Sequence, residues 1–448
     1  MPEVPSSLAA LLFLLRPCFT APTFGTFQAL MSGLICQTGQ RTVCGMLVGA
    51  RLGGVWHHTR AHRFFSRATW CPQELGLRVA DLVIERLLEP DTPIVLALDD
   101  SLLHRRGRRV FGTHWHHDAT ANSPSHSVAW GNNWIVVGIV IRLAFLDRPV
   151  CLPVCFALWQ PRPKDLARGQ PCPERPSKPV LARRLVDQIA ARHPDRAIHV
   201  VGDAGYATSA WRGLPAPVTM TFRVRKDAAL YAPTPPRTGR RGRPAKKGDP
   251  LPRIARIAAD PATCWQTVLA SRYAKSEQVP VHELDCLWYE ALADTPCRLI
   301  LVADPKDHAR AQLALLTTDL SSTPAQLIGR YADRWCIEVC FQEAKHIFGV
   351  GHARNRTPLA VARTVPFGFL GMTLTILWYA LHGHHPHVVA DRRRHAPWYQ
   401  TKRSPCTADM LATLRRTIIA TQYLPGQPTA PTPREITAVQ HAWAAASA

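Results

Sequence analysis

Apolar positions recur at helical spacing through the first 90 residues. The runs LAALLFLLRPCF (8–19), FGTFQALMSGLICQ (24–37) and LGLRVADLVIERLL (75–88) are separated by Pro, Gly and Thr breaks, which predicts helices joined by short turns. The pattern changes after Pro93. IVLALDD (94–100) is a short apolar run that ends in two acids, as a buried strand does at its mouth. The basic turn HRRGRR follows, then two further strand-like runs, WGNNWIVVGIVIRLAF (130–145) and VCLPVCFALW (150–159). KPVLARRLVDQIAARH (178–193) is amphipathic and helical, and AIHVVGDAGY (197–206) is another apolar strand, ending in Asp203. The order β-β-β-α-β, with an acid closing its first and fourth strands, is that of an RNase H-like core.

The rest of the chain divides by composition. Between positions 223 and 256 there are eleven Lys and Arg against two Asp, which suits a solvated basic loop. WQTVLASRY, VHELDCLWYE and CRLILVAD then read as strands, and TPAQLIGRYADRW opens a helix with Thr323 as its N-cap. The expected organisation is α/β: a helical DNA-binding or dimerisation region over 1–90, an RNase H-like core over 91–215 and 325–382, a basic β-rich insertion over 216–324, and a helical C-terminal region over 383–448. His57, His58, Arg60, His62 and Arg63 give the first region a basic patch beside Phe64 and Phe65.

One stretch, YADRWCIEVCFQEAK (331–345), carries an unusual pattern. On a wheel of about 100° per residue, Tyr331, Arg334, Glu338 and Lys345 share a stripe about 60° wide. Trp335 and Val339 wall it on one side, and Ile337, Phe341 and Phe348 on the other. A solvated helix has a broad polar face. A narrow polar stripe between large apolar residues points to a carboxylate in a part-buried site, although an ordinary Arg334–Glu338 pair one turn apart would give the same spacing.

Charge sharpens the reading. The net charge of +22 exceeds what solubility requires and implies a polyanionic partner. The 13 Cys include no CxxC pair, which fits free thiols in a reducing cytosol. Glu3 stands where a signal peptide has basic residues, and the uncharged run 364–381 contains Pro366, Gly368 and Gly371, so it is expected to be a core helix and not a membrane span. The His clusters at 114–117 and 382–387 lack Cys partners at zinc-finger spacing and suit hydrogen bonding near a nucleic-acid backbone. Trp265 and Trp288 could stack on a base or fill a core.

Three acids then stand out: Asp100 (with its neighbour Asp99), Asp203 and Glu338. Carboxylates gathered without basic partners repel one another and call for divalent cations. Two Mg²⁺ ions roughly 3.5–4 Å apart are the usual arrangement for phosphodiester chemistry. Arg223, Arg225 and Lys226 are expected along a DNA track. RGRP (241–244), with Arg241 and Arg243, resembles the extended Arg-bearing segment that enters a narrow A·T minor groove, although a basic loop on phosphates reads the same way.

Tyr331, Arg334, Glu338 and Lys345 match Y-x2-R-x3-E-x6-K in residues and spacing, and the chain thereby resembles the DDE transposases of the large insertion-sequence superfamily called family four. LALDDS and VVGDAGY resemble that superfamily's first and second Asp motifs. The resemblance covers about 96–351. It implies catalytic, metal-holding Asp100, Asp203 and Glu338, with Asp100 chosen because it directly precedes Ser101. It also implies Mg²⁺ or Mn²⁺, phosphates of the transposon end held by Arg334 and Lys345, a DNA backbone positioned by Tyr331, and cut-and-paste transposition through a hairpin. The expected partners are double-stranded DNA (terminal inverted repeats and target) and a second copy in a synaptic homodimer, in the cytoplasm at the nucleoid. The rival functions are an RNase H-like nuclease without strand transfer and an inactive DNA-binding derivative.

Overall fold

The computed structural model describes residues 4–118, 127–163, 172–236, 245–272, 275–304, 307–421 and 439. The N-terminal segment forms α1 (Ser6–Phe13), α2 (Ala21–Cys36), α3 (Val43–Gly49), α4 (His58–Ser66) and α5 (Pro72–Leu87). α2 and α3 cross closely because glycines meet there. A Cβ on Gly33 would lie 1.8 Å from the Met46 carbonyl oxygen, and one on Gly49 would lie 2.2 Å from that of Gly33. Phe19, Phe27, Phe64 and Trp70 pack face to face or tilted within this unit.

The strands that follow are β1 (Ile94–His104), β2 (His114–His117), β3 (Val128–Ile141) and β4 (Val150–Trp159), then α6 (Lys178–Arg192), β5 (Ile198–Gly202) and β6 (Val218–Arg223). β1 pairs antiparallel with β3 and parallel with β5, β3 pairs antiparallel with β4, and β5 pairs parallel with β6. The order β4-β3-β1-β5-β6 is that of an RNase H-like sheet, consistent with the expected core. From Gly131 onward β3 is buried at every position, as a strand covered on both faces must be.

β6 falls within the stretch 216–324, yet it is the neighbour of β5 in the sheet. After α7 (Ile254–Ala259) come β7 (Gln266–Arg272), β8 (Lys275–Leu287), the short α8 (Tyr289–Leu292), β9 (Pro296–Asp304) and β10 (Asp307–Thr317). They continue the same sheet beyond β6 in the order β10-β9-β8-β7, all antiparallel. Trp265 and Trp288 are partly buried against the main core.

Two helices follow where one was expected. α9 (Pro324–Asp333) starts at a capping box between Thr323 and Gln326 and ends at Arg334; α10 (Cys336–His346) starts after Trp335. Leu327 and Ile328 of α9 sit in a small separate core with Ala270, Val279, Ile300 and Leu315, so β7–β10 form the bed on which α9 lies. α11 (Pro358–Trp378), α12 (His387–His395) and α13 (Thr407–Thr421) complete the fold. α11 is long and apolar enough to cross a membrane, but 89% of its most apolar window is buried. It packs against α2, α4, α5, α13 and β4, as the expected core helix does.

Candidate active site

β1 presents two adjacent acids, and successive strand residues point to opposite faces. The Asp99 carboxylate lies on the face covered by α10. Its Oδ2 accepts a hydrogen bond from Arg334 Nη1 at 2.9 Å, and its Oδ1 accepts from the Asp100 backbone N–H at 2.8 Å. Asp100 points to the face covered by α6. Its Oδ2 accepts from Lys178 Nζ at 2.7 Å and Asn133 Nδ2 at 2.9 Å, and its Oδ1 accepts from the Tyr206 hydroxyl at 3.1 Å. An ionised carboxylate has about four acceptor positions, and three of those on Asp100 are taken. Asp100, the acid expected to hold metal, thus has its carboxylate engaged by protein on the α6 face, whereas Asp99 is the acid beside Arg334. The face on which the Glu338 helix lies is the face of Asp99.

Asp203 follows β5 in a turn that its own carboxylate caps, with Oδ1 accepting from Gly205 N–H at 2.9 Å. Glu338 stands in the first turn of α10. Arg334, at the junction of α9 and α10, joins them. Its Nη2 is 3.7 Å from Glu338 Oε1 while its Nη1 holds Asp99. Asp99, Glu338 and Asp203 all act on its charge. Two carboxylates, from β1 and α10, thus contact one guanidinium, and that of the β5 turn is near enough to act on its charge.

Arg334 was expected at a DNA phosphate. It is only 8% exposed, and its Nε is buried without a partner. Its Nη1 is directed to Asp99. The ordinary Arg334–Glu338 pair does exist, at 3.7 Å, but the shorter contact is the one to β1. The apolar walls of the stripe also differ. Ile337, Phe341 and Phe348 are buried, whereas Trp335 and Val339 are 53% and 40% exposed.

The remaining expected residues spread around this centre. The Tyr331 ring lies 5.7 Å from the Arg334 guanidinium carbon. Lys345 is half-buried in the last turn of α10; burial lowers its pKa, and the nearby Asp118 opposes that. Arg223, Arg225 and Lys226 are exposed at and beyond the end of β6. Gly202 pairs with Phe222, so Arg223 stands level with Asp203. Arg225 is held by Asp227 at 3.0 Å. Arg241 and Arg243 lie outside the described residues.

Sequence reasoning missed Lys178, Asn133 and Tyr206. Tyr206 stood within the VVGDAGY motif, but nothing in that pattern showed that its hydroxyl would reach β1. Arg105, read as part of a basic turn, is instead a brace: it donates to Gly351 O at 2.9 Å, Ala353 O at 2.7 Å and Asn132 Oδ1 at 2.9 Å.

The electrostatics favour a cation. Burial, reinforced by Asp203 and Asp100, pushes the Asp99 carboxyl up to about 7, although Arg334 and the Asp100 N–H pull the other way. One guanidinium does not satisfy the cluster. Ser101, two residues along the same strand face as Asp99, has a buried Oγ without a partner. Among the described residues no three potential ligands form a ready-made metal cage. The donor set, Asp99, Asp203 and Glu338, is all oxygen, which suits a hard divalent ion.

A mixed sheet of this order carries an acid in the middle of β1, which runs on to His104 and does not close at its acids as expected, another just after β5 and a third on a covering helix, an RNase H-like architecture. A family model for DDE superfamily endonucleases matches residues 14–289, more than half of the 448-residue chain, and the chain belongs to that family. Comparison with curated proteins found no match. The family match ends before β9, so Arg334 and Glu338 join the site by geometry.

Proposed function

We propose that this DDE endonuclease is a transposase that cuts the ends of its own insertion sequence and joins them to target DNA. The observation that carries the reading is that Arg334 contacts both Asp99 and Glu338, with Asp203 close enough to act on its charge. The Y-x2-R-x3-E-x6-K pattern and the charge of +22 support it. Asp99, Asp203 and Glu338 would hold two Mg²⁺ ions, for which Mn²⁺ can substitute. When bound, the metal supplies the positive charge that activates a water or 3′-hydroxyl and stabilises the leaving oxygen.

The chain's own residues do the rest. Arg334 holds the Asp99 carboxylate and offsets part of its charge. Arg223, exposed at the level of Asp203, Lys226 and Lys345 would meet phosphates of the transposon end, with Tyr331 against the backbone. Arg241 and Arg243 would add contacts in the groove. Two copies would hold the two ends together, at the nucleoid.

The test is an assay with duplexes carrying the DNA that flanks the gene, a target plasmid, and Mg²⁺, Mn²⁺ or EDTA. The reading expects metal-dependent release of 3′-hydroxyl ends and their appearance in the plasmid. Cleavage without joining would assign a nuclease that lacks strand transfer. Binding without cleavage in either metal would assign an inactive derivative.

A further inference from the structure

The Asp100 side chain is where four elements meet. Lys178 reaches it from the first turn of α6, Asn133 from β3 and Tyr206 from the turn that carries Asp203. Tyr206 is itself fixed. It is 3% exposed, its N–H donates to the Asp203 carbonyl at 3.2 Å, and its own carbonyl accepts from the Trp211 indole N–H at 2.8 Å. Asn133 turns its amide N–H₂ to Asp100 and leaves its Oδ1 buried without a partner. That orientation has a cost, and the charge-assisted bond to Asp100 offsets it.

We infer that Asp100, Tyr206, Lys178 and Asn133 form a latch on the back of β1, which sets the distance between Asp203 and Asp99. Asp100 and Asp99 are adjacent on one strand, and Asp203 and Tyr206 share one four-residue turn. Closing the Tyr206–Asp100 bond therefore fixes one acid of the site relative to the other, without any member of the latch touching metal or DNA. Lys178 donates to Asp100 Oδ2 at 2.7 Å and so holds that carboxylate in place from α6. These are positioning residues. The inference rests on the proposed metal-holding role of Asp99 and Asp203.

The experiment compares wild type, Tyr206→Phe, Asp100→Asn, their double variant, Lys178→Gln and Asp99→Asn. Mn²⁺ binding to the full chain is followed by the EPR signal of free Mn²⁺, alongside thermal melts without metal and cleavage rates across a Mn²⁺ series. Support polar groups behind metal ligands are worth about 10- to 100-fold in affinity or activity. Tyr206→Phe is expected to weaken Mn²⁺ binding by about 10-fold, with a near-normal melt, unchanged KM for DNA, and cleavage restored by excess Mn²⁺. The double variant with Asp100→Asn is expected to be no worse than the more impaired single variant, because both open one latch. Should Tyr206→Phe melt early, Lys178→Gln reports the same loss from a partly exposed position. Wild-type Mn²⁺ affinity and cleavage in Tyr206→Phe and Lys178→Gln, with both lost in Asp99→Asn, would overturn the latch alone. Wild-type Mn²⁺ binding in Asp99→Asn would overturn the metal site beneath it.

Discussion

A one-residue alternation separates the two acids of β1. Asp99 shares a face with the Glu338 helix, and Asp100 is consumed on the other by Lys178, Asn133 and Tyr206. Arg334 is the second residue whose role follows from burial. With its side chain 10% exposed and that of Asp99 17% exposed, the pair is far from a solvated one. Removing one partner of a buried pair leaves the other charge stranded and costs about 3 kcal/mol or more. Arg334→Ala is therefore expected to lower the melting temperature clearly, and Arg334→Lys to recover only part of it, because an ammonium does not reproduce the guanidinium fork. A melt unchanged by Arg334→Ala would return Arg334 to an exposed pair worth under about 1 kcal/mol. The residue types at the site were legible in the sequence. Which face mattered was not, because it depends on where a helix more than 200 residues downstream comes to rest.

At the scale of elements, β3, β4 and β5 were read with little error, since buried β-branched runs have few alternatives, but β1 runs on past its two acids to His104 and β6 lay in the stretch read as insertion. The junction at Arg334 and Trp335 was missed. Periodicity continues across it, and only the separate bed of β7–β10 beneath α9 shows that the two helices are held by different surfaces. That bed aims Arg334. Leu327→Ala would leave a void in it and should destabilise the protein by about 2–5 kcal/mol, read by denaturant melts; a loss under about 1 kcal/mol would mean that α9 does not depend on it.

A second element-scale device is the polar seam through β5, β6 and β10. His199 bonds Thr219 at 2.8 Å and Thr221 at 2.9 Å, and Thr221 bonds Thr317 at 2.9 Å. Burial, helped by Arg330, lowers the His199 pKa to about 3, against the pull of Asp319. Between about 6.5 and 3 the unfolded chain then binds the proton that the folded chain refuses. Stability is complete above about 6.5 and is lost as pH falls, by about 2 kcal/mol at pH 5. Urea midpoints should decline across that window, and in His199→Gln the decline should be smaller. An identical pH profile in the variant would show that His199 is not the group responsible.

At the scale of the molecule, one ten-stranded sheet carries both the RNase H-like core and the strands that support α9. The succession of β1, β3, β4, α6 and β5 was legible because each is marked by its own periodic run, while the place of β6 beside β5 was not. Nor was the continuity of the sheet beyond β6, since composition marks a basic stretch but not the strand partner. The charge of +22 belongs to this scale as well. Each phosphate neutralised by Lys or Arg adds about 0.9 to the slope of log K against log salt on duplex DNA. Deleting positions 237–247 removes six Lys and Arg, namely Arg237, Arg240, Arg241, Arg243, Lys246 and Lys247, and should flatten that slope, measured by fluorescence anisotropy. An unchanged slope would place the DNA elsewhere on the protein.

The central claim is that Asp99, not Asp100, completes a catalytic centre with Asp203 and Glu338. The most direct measurement is the single-turnover rate of end cleavage in Mg²⁺ by Asp99→Asn and Asp100→Asn, side by side with wild type. The account predicts no detectable cleavage by Asp99→Asn at wild-type DNA affinity. It predicts a loss for Asp100→Asn limited to about 10- to 100-fold, the range for support behind metal ligands, and relieved by excess Mn²⁺. Normal cleavage by Asp99→Asn with none by Asp100→Asn would contradict it.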